Sequence, residues 1–352
     1  MSLIQLKESD LLYLDEACGE EIAKMGDLLA DSGYLALEKS LRGVRMQASG
    51  CCGSISFSDG TLVNLLPDLS AIRTSEGNSR MLMEMLYSVF GISTRNAIAE
   101  NLFEFFIKVF TDSVSRLLAC GLRSKYHLVS GNEKSFKGRI VFNEHIRRNY
   151  IHKERIYVEY ETYSQNRPEN RIIKTALEAL YRRTGDNNNA KDIKNLVAHM
   201  EEIPSSYDVD KDFSTIVLDR NMIDYTTPLY WCRIFLKGLG LAGASRENVP
   251  YMLILDTDSL FKAYVGRMAA SENENGTYQL KYTVDVYNEA VTKGVSAIKV
   301  NLDWTFYDRV RDRNISDAES LYMSTPGYRA IPDYGANRIR SMAGSYLSDT
   351  LV

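Results

Sequence analysis

The chain has 352 residues, 45% hydrophobic and 25% charged, with a formal net charge of −4. That is ordinary globular composition, long enough for two or three domains, and too acidic overall for bulk nucleic-acid affinity. No apolar run nears the roughly 20 residues that cross a bilayer, and the opening MSLIQLKESDLLYLDEACGEE lacks a signal-peptide core, so a cytoplasmic protein without membrane contact is expected.

Residues 1–92 read as a small α+β unit. GSISFSDGTLVNLL holds two extended runs around a Ser-Asp-Gly turn, the pattern of a β-hairpin. Asn78 or Ser79 is placed to cap the helix SRMLMEMLYSVF, which stops at Gly91. Residues 96–120 give the clearest helix, with Ile98, Leu102, Phe105, Phe106, Val109, Val114, Leu117 and Leu118 on one broad face and Gly121 following its C-cap. Its length marks a central packing element. Helices are expected over 170–183 and 191–201, with the polar run from Asp186 to Asn189 looping between them. After Pro250, YMLILD reads as a short buried strand and Asp258 as the cap of the helix LFKAYVGRMAA. SENENG then turns into extended segments near 277–287 and 295–306.

Five cysteines, Cys18, Cys51, Cys52, Cys120 and Cys232, show neither CxxC nor Cys/His spacing. The adjacent Cys51 and Cys52 make a poor disulfide, so the thiols read as reduced and structural. The four histidines, His127, His145, His152 and His199, lack metal-ligand spacing. No GxxxxGK[S/T] occurs, so the chain has no P-loop with which to bind or hydrolyse a nucleoside triphosphate. Gly238, Gly240 and Gly243 satisfy GxGxxG, but a dinucleotide fingerprint follows a strand, whereas WCRIFLKG reads as the end of a helix.

Charge is unevenly placed. Residues 134–155 hold Lys134, Lys137, Arg139, Arg147, Arg148, Lys153 and Arg155 against Glu144 and Glu154. Lys137, Arg139, Arg147, Arg148, Arg171 and Lys174 are therefore candidate phosphate contacts on DNA, with Tyr126, Tyr150 and Tyr157 among them. The same residues have a structural reading, in which Gly138-Arg139 forms a turn and Asn170-Arg171 fixes a helix start by capping and an internal ion pair.

Residues 137–180, KGRIVFNEHIRRNYIHKERIYVEYETYSQNRPENRIIKTALEAL, preceded by GLRSKYH at 121–127 and followed by LFKAYV at 260–265, resemble the McrC family, the non-GTPase subunit of McrBC-type modification-dependent restriction systems. The resemblance runs over about residues 40–268. It implies an α+β, multidomain fold: a small N-terminal α+β docking domain (1–92), a central helix-rich, basic domain with short strands (93–250), and a C-terminal α/β region (251–352) related to a PD-(D/E)xK nuclease core. It also implies a McrB-like AAA+ ring as partner, carrying GTP or ATP, with DNA as the shared substrate.

The family's nuclease uses an acid on one strand and acid-x-Lys on the next to hold Mg²⁺. Here the weak candidates are Asp285 with Lys299, but Ala297 stands where the second carboxylate belongs. Asp333, after Pro332, has only 19 residues behind it and no acid-x-Lys. The expected function is a ring-docking, ring-stimulating, DNA-contacting subunit. The alternatives are an active Mg²⁺-dependent endonuclease with an unaligned site and a non-catalytic scaffold.

Overall fold

The computed structural model describes residues 3–8, 10–26, 33–40, 43–67, 75–92, 102–238, 251–272, 276–286, 296–309 and 312–316. The chain begins β1 (Leu3–Lys7), β2 (Leu12–Leu14), α1 (Glu16–Gly26), β3 (Leu35–Ser40), β4 (Gly43–Ala48), β5 (Cys51–Ser56), β6 (Leu62–Leu66) and α2 (Ser75–Phe90). A largely helical stretch follows: α3 (Leu102–Cys120), then β7 (Lys125–Glu133), β8 (Arg139–Ile140), α4 (Phe142–Asn149) and β9 (Ile156–Ser164), then α5 (Pro168–Tyr181), α6 (Asn187–Ala198), α7 (Val209–Thr215) and α8 (Ile223–Arg233). It ends in a π-turn at Ile234–Gly238, and β10 (Tyr251–Asp256), α9 (Thr257–Glu272), β11 (Gly276–Val286), β12 (Ser296–Asp308) and β13 (Arg313–Ile315) complete the fold. Helices and strands are thus mixed along the chain, as an α+β fold requires.

The main sheet runs β1-β6-β5-β10-β12-β11, with β13 added to β12. Strands from both ends of the chain therefore share one sheet. β10 lies between β5, antiparallel with Asp256 opposite Cys51, and β12, parallel with Ile254 opposite Lys299. Residues 1–92 and 251–352, expected as separate domains, are joined here by backbone hydrogen bonds, because β10 is buried on both faces and needs a partner on each edge. One face of this sheet, with Cys52, Leu253, Leu255, Ile298 and Val300, packs on the helices; the other, with Cys51, Ile55, Met252 and Ile254, packs under β2-β4-β3 and α1. The period-2 alternation of a strand thus sends Cys51 and Cys52 into different cores.

α3 is the axis of the helical core. Leu102, Phe105, Phe106, Val109, Val114 and Leu117 are buried as the spacing predicts, and Phe103, Ile107 and Phe110 widen the same face. Ser115, Arg116, Ala119 and Cys120 stay exposed, so the helix packs by one broad stripe. Phe106 meets Trp231 at 5.0 Å and Phe110 meets Phe235 at 5.6 Å between ring centres. Gly121 ends the helix at φ +89°, the left-handed conformation that glycine adopts without cost. Ile98 lies outside the described residues.

Four boundaries differ from the sequence expectation. α2 begins at Ser75 rather than at Asn78, which is buried inside the helix. α5 begins at Pro168, which serves as a first-turn residue lacking the N–H that would go unbonded there. Asp186 to Asn189 is a helix start instead of a loop: the Asp186 side chain accepts from the N–H groups of Asn188 (2.7 Å) and Asn189 (2.9 Å). Asp256, rather than Asp258, caps α9, its Oδ2 accepting from the Ser259 N–H at 2.7 Å. The hairpin of β5 and β6 and the antiparallel pair of β11 and β12 lie where the patterns put them.

Candidate functional site

Residues 125–164 form a unit of their own, a three-stranded antiparallel sheet in the order β7-β9-β8 with α4 on it. These elements pack chiefly on one another. Gly138 sets the geometry of the return into β8: its φ is +60°, and a Cβ there would sit 2.2 Å from the Glu159 carbonyl oxygen. The Gly138-Arg139 pair is therefore a structural turn.

α4 is held in an unusual way for a surface helix. Its buried residue is Asn149, whose amide makes a reciprocal pair with the Asn132 amide, each bond 2.7 Å. Asn149 Nδ2 also lies 2.9 Å from His145 Nδ1, a ring nitrogen that accepts the Tyr157 N–H at 3.3 Å. The apolar residues face water: Phe142 and Ile146 are each 66% exposed, Tyr150 and Ile151 each 82%. Tyr126, Leu128 and Tyr163 on the sheet are exposed too, with the two tyrosine rings 4.9 Å apart. Phe142, Ile146 and Tyr150 recur every four residues, a spacing legible in the sequence, but such a stripe normally faces a core.

Four of the unit's basic side chains have internal partners. Arg148 donates to Glu144 at 2.7 Å and lies over the Tyr157 ring, and Arg147 is 3.4 Å from the same carboxylate. Arg148's hydrogen bond, aided by the charges of Arg147 and Arg148, holds the Glu144 carboxyl below the ordinary glutamate value. Arg139 pairs with Glu159, and Lys137 lies 3.7 Å from Glu133 and over Tyr160. The unit still has eight lysines and arginines against five glutamates, so it is cationic on an anionic chain.

Arg171 and Lys174, expected among the DNA contacts, point into the helical body. Arg171 grips Asp212 through two nitrogens at 3.1 and 2.6 Å, and Lys174 donates to the carbonyls of Met200, Glu201 and Ile203 at the turn after α6. Asn170 donates to the Arg123 and Gln165 carbonyls and accepts from the Tyr225 hydroxyl, tying the start of α5 to α8. The Asn-Arg pair of the motif is an architectural clamp. The glycines at 240 and 243 fall outside the described residues, and Gly238 follows helix rather than strand.

Of the nuclease candidates, Asp285 and Lys299 stand directly opposite each other across β11 and β12. Lys299 Nζ sits 4.8 Å over the Tyr34 ring, and the Tyr34 hydroxyl reaches Asp256 Oδ1 at 3.4 Å. The strand-to-strand geometry of an acid and a lysine is present, yet the position two before Lys299 is Ala297, opposite Met252 on β10. Asp256 is engaged as the cap of α9. Mg²⁺ requires several oxygen ligands in near-octahedral order, and among the described residues no three His, Cys, Asp or Glu side chains converge. Asp333 lies outside the described residues.

A family model described as McrBC 5-methylcytosine restriction system component matches residues 46–319. No curated protein matches the chain. Among solved structures, the chain is similar to one from the Thermococcus gammatolerans McrBC complex, at 19% identity and TM-score 0.50, over 77% of this chain and 88% of that one. It is also similar to one from a half-complex of the tetradecameric assembly of Thermococcus gammatolerans McrB AAA+ hexamers with bound McrC, at 18% identity and TM-score 0.51, over 81% and 73% of the two chains. Among the described residues, no helix is long and apolar enough to cross a membrane.

Proposed function

Because the chain belongs to the family of McrBC 5-methylcytosine restriction system components, we propose that it is the McrC-like subunit of a DNA restriction or defence complex, docking on an AAA+ GTPase or ATPase ring, stimulating it and contacting DNA. The similar solved chains come from McrBC assemblies, one of them described as McrB hexamers with bound McrC, which supports the ring as partner.

The observation that carries the reading is the outward apolar face of α4. Apolar surface left in water forgoes about 25 cal/mol per Å², and a contiguous patch of it marks a surface that a partner covers. In this reading the docking role expected of residues 1–92 falls to residues 125–164, since β5 and β6 are internal strands of the main sheet and the α4 unit packs chiefly on itself. Lys137, Arg139, Arg147 and Arg148 edge the same unit and would exchange their glutamate partners for DNA phosphates. The experiment is NTP hydrolysis by the cognate AAA+ ring with wild type and with Phe142→Ser/Ile146→Ser. The variant should fold normally, both side chains being exposed, and should stimulate poorly; full stimulation by it would sink the assignment.

A second reading, that this chain also cuts DNA, draws on the facing Asp285 and Lys299. We favour a subunit that does not cut by itself, because the position of the second carboxylate is Ala297. Cleavage of modified DNA with ring, NTP and Mg²⁺ that is lost in Asp285→Ala would overturn this.

A further inference from the structure

A cleft of about 510 Å³ opens between the end of α2, the middle of α3, the first turn of α8 and the α9 and β11 pair. It is far in chemistry from the apolar α4 face. Two arginines line it, Arg116 from α3 and Arg267 from α9. Arg139, Arg147, Arg148, Arg167 and Arg171 are tied to carboxylates, but neither of these has one within ion-pairing distance among the described residues. Arg116 uses only its Nε, on the Asp112 carbonyl at 3.4 Å, and the Arg267 guanidinium lies 5.2 Å over the Tyr278 ring. Both keep terminal N–H groups for a ligand.

The first turn of α8, an 11-residue helix that a 3-10 turn at Arg220–Met222 runs into, forms another wall of the cleft through Ile223, Asp224 and Thr227. Paired guanidinium forks are elements that bind phosphate oxygens elsewhere in proteins. Asp224 is the one carboxylate among the described lining residues, and Phe90 and Tyr278 add aromatic wall.

We propose that this cleft is an anion site that takes a phosphate group, held by Arg116 and Arg267 at the start of α8. The phosphate is either free or part of a DNA backbone, and the chemistry of recognition is common to both. A site here would give the complex a nucleic-acid or phosphate contact on the helical body, apart from the basic unit at 125–164, and it does not depend on the docking role of α4.

Cys120, exposed and on the rim of the cleft, supplies the readout. The rate of its alkylation by iodoacetamide is followed on the full chain with inorganic phosphate, with a short DNA duplex, and with sodium chloride at matched ionic strength. Phosphate or duplex should slow the reaction beyond the chloride control. Protection by phosphate identifies a free-anion site; protection by duplex alone identifies the backbone as the source. Arg116→Gln and Arg267→Gln should each raise the half-protecting concentration about tenfold, the cost of one charge-assisted hydrogen bond. Asp224→Asn, a conservative exposed change, should lower it. No protection beyond chloride from either ligand, or protection indifferent to all three substitutions, overturns the proposal.

Discussion

The thiols of Cys51 and Cys52 belong to neighbouring residues and never meet, because a strand sends them to opposite faces. Burial, with smaller contributions from Glu8 and Asp256, pushes Cys51 up to about 12, and burial raises Cys18 to about 12 as well. Burial likewise raises Cys52 and Cys232. Thiolate is the reactive form, so these four should resist iodoacetamide at neutral pH while Cys120 reacts. Mass analysis should find one modified cysteine in the native chain and five in denaturant; rapid native labelling at Cys51 would refute the burial. At Asp212, burial pulls the carboxyl upward, but hydrogen bonds from Arg171 and Ser206 outweigh it and hold the group below its ordinary value. A depressed carboxyl contributes stability above the unfolded aspartate value near 4, and that contribution is lost as pH falls through the folded value. Arg171→Ala should therefore cost about 2–4 kcal/mol at pH 7, somewhat under the range for fully buried pairs because both side chains keep some solvent contact. The deficit should shrink in acid, which urea unfolding at pH 7 and below pH 4 would measure.

At the scale of elements, α6 and α4 show opposite solutions to the same problem. α6 is pinned by Asp186 at its start and by the buried Glu104 of α3, whose carboxylate accepts from the Asn189 amide at 2.8 Å, the Thr184 hydroxyl at 2.7 Å and the Gly185 N–H at 2.8 Å. α4 is pinned by an amide pair and a histidine, leaving its apolar stripe for a partner. Glu104→Ala would leave three donors unsatisfied and should destabilise by about 3 kcal/mol or more, with Tm as the measure. Replacing Arg147 and Arg148 with alanine should instead leave Tm nearly unchanged. It should weaken DNA binding evenly across sequences and flatten its salt dependence by up to about two units of slope, one per phosphate contact. An unchanged slope would return both arginines to their role as partners of Glu144.

At the scale of the whole molecule, the main sheet decides what can be cut away. A chain beginning at residue 93 lacks β5, so β10 loses six register partners, and the Met252 and Ile254 face loses the layer that covers it. Such a truncation should be insoluble or unfolded by circular dichroism, rather than a soluble catalytic half. A well-folded fragment with a cooperative melt would restore residues 1–92 as an independent domain. Replacing residues 125–164 by a short linker should, by the same reasoning, leave the rest folded and abolish ring stimulation.

The sequence by itself determined what is local. The hairpin around Ser58-Asp59-Gly60, the length of α3, the stop at Gly121, the buried β10 and the unpaired state of adjacent cysteines all follow from periodicity, turn chemistry and strand geometry over a few residues. So does the family, carried by motifs within 137–180 and 260–265. Pro168 and Asp186 are equally local signals: a proline suits the first turn of a helix, and the Asp186 side chain bonds the first free N–H groups of α6. Only the tertiary structure decided the rest. That β5 and β10 are neighbours, some 200 residues apart, depends on which buried edges meet. That Arg171 and Lys174 turn inward while Arg147 and Arg148 stay at the surface depends on where a carboxylate or a helix end lies in space. The stripe Phe142, Ile146 and Tyr150 has the spacing of a core face. It is left outside because α4 attaches through Asn149, and one-dimensional spacing carries no information about which side of a helix the protein covers.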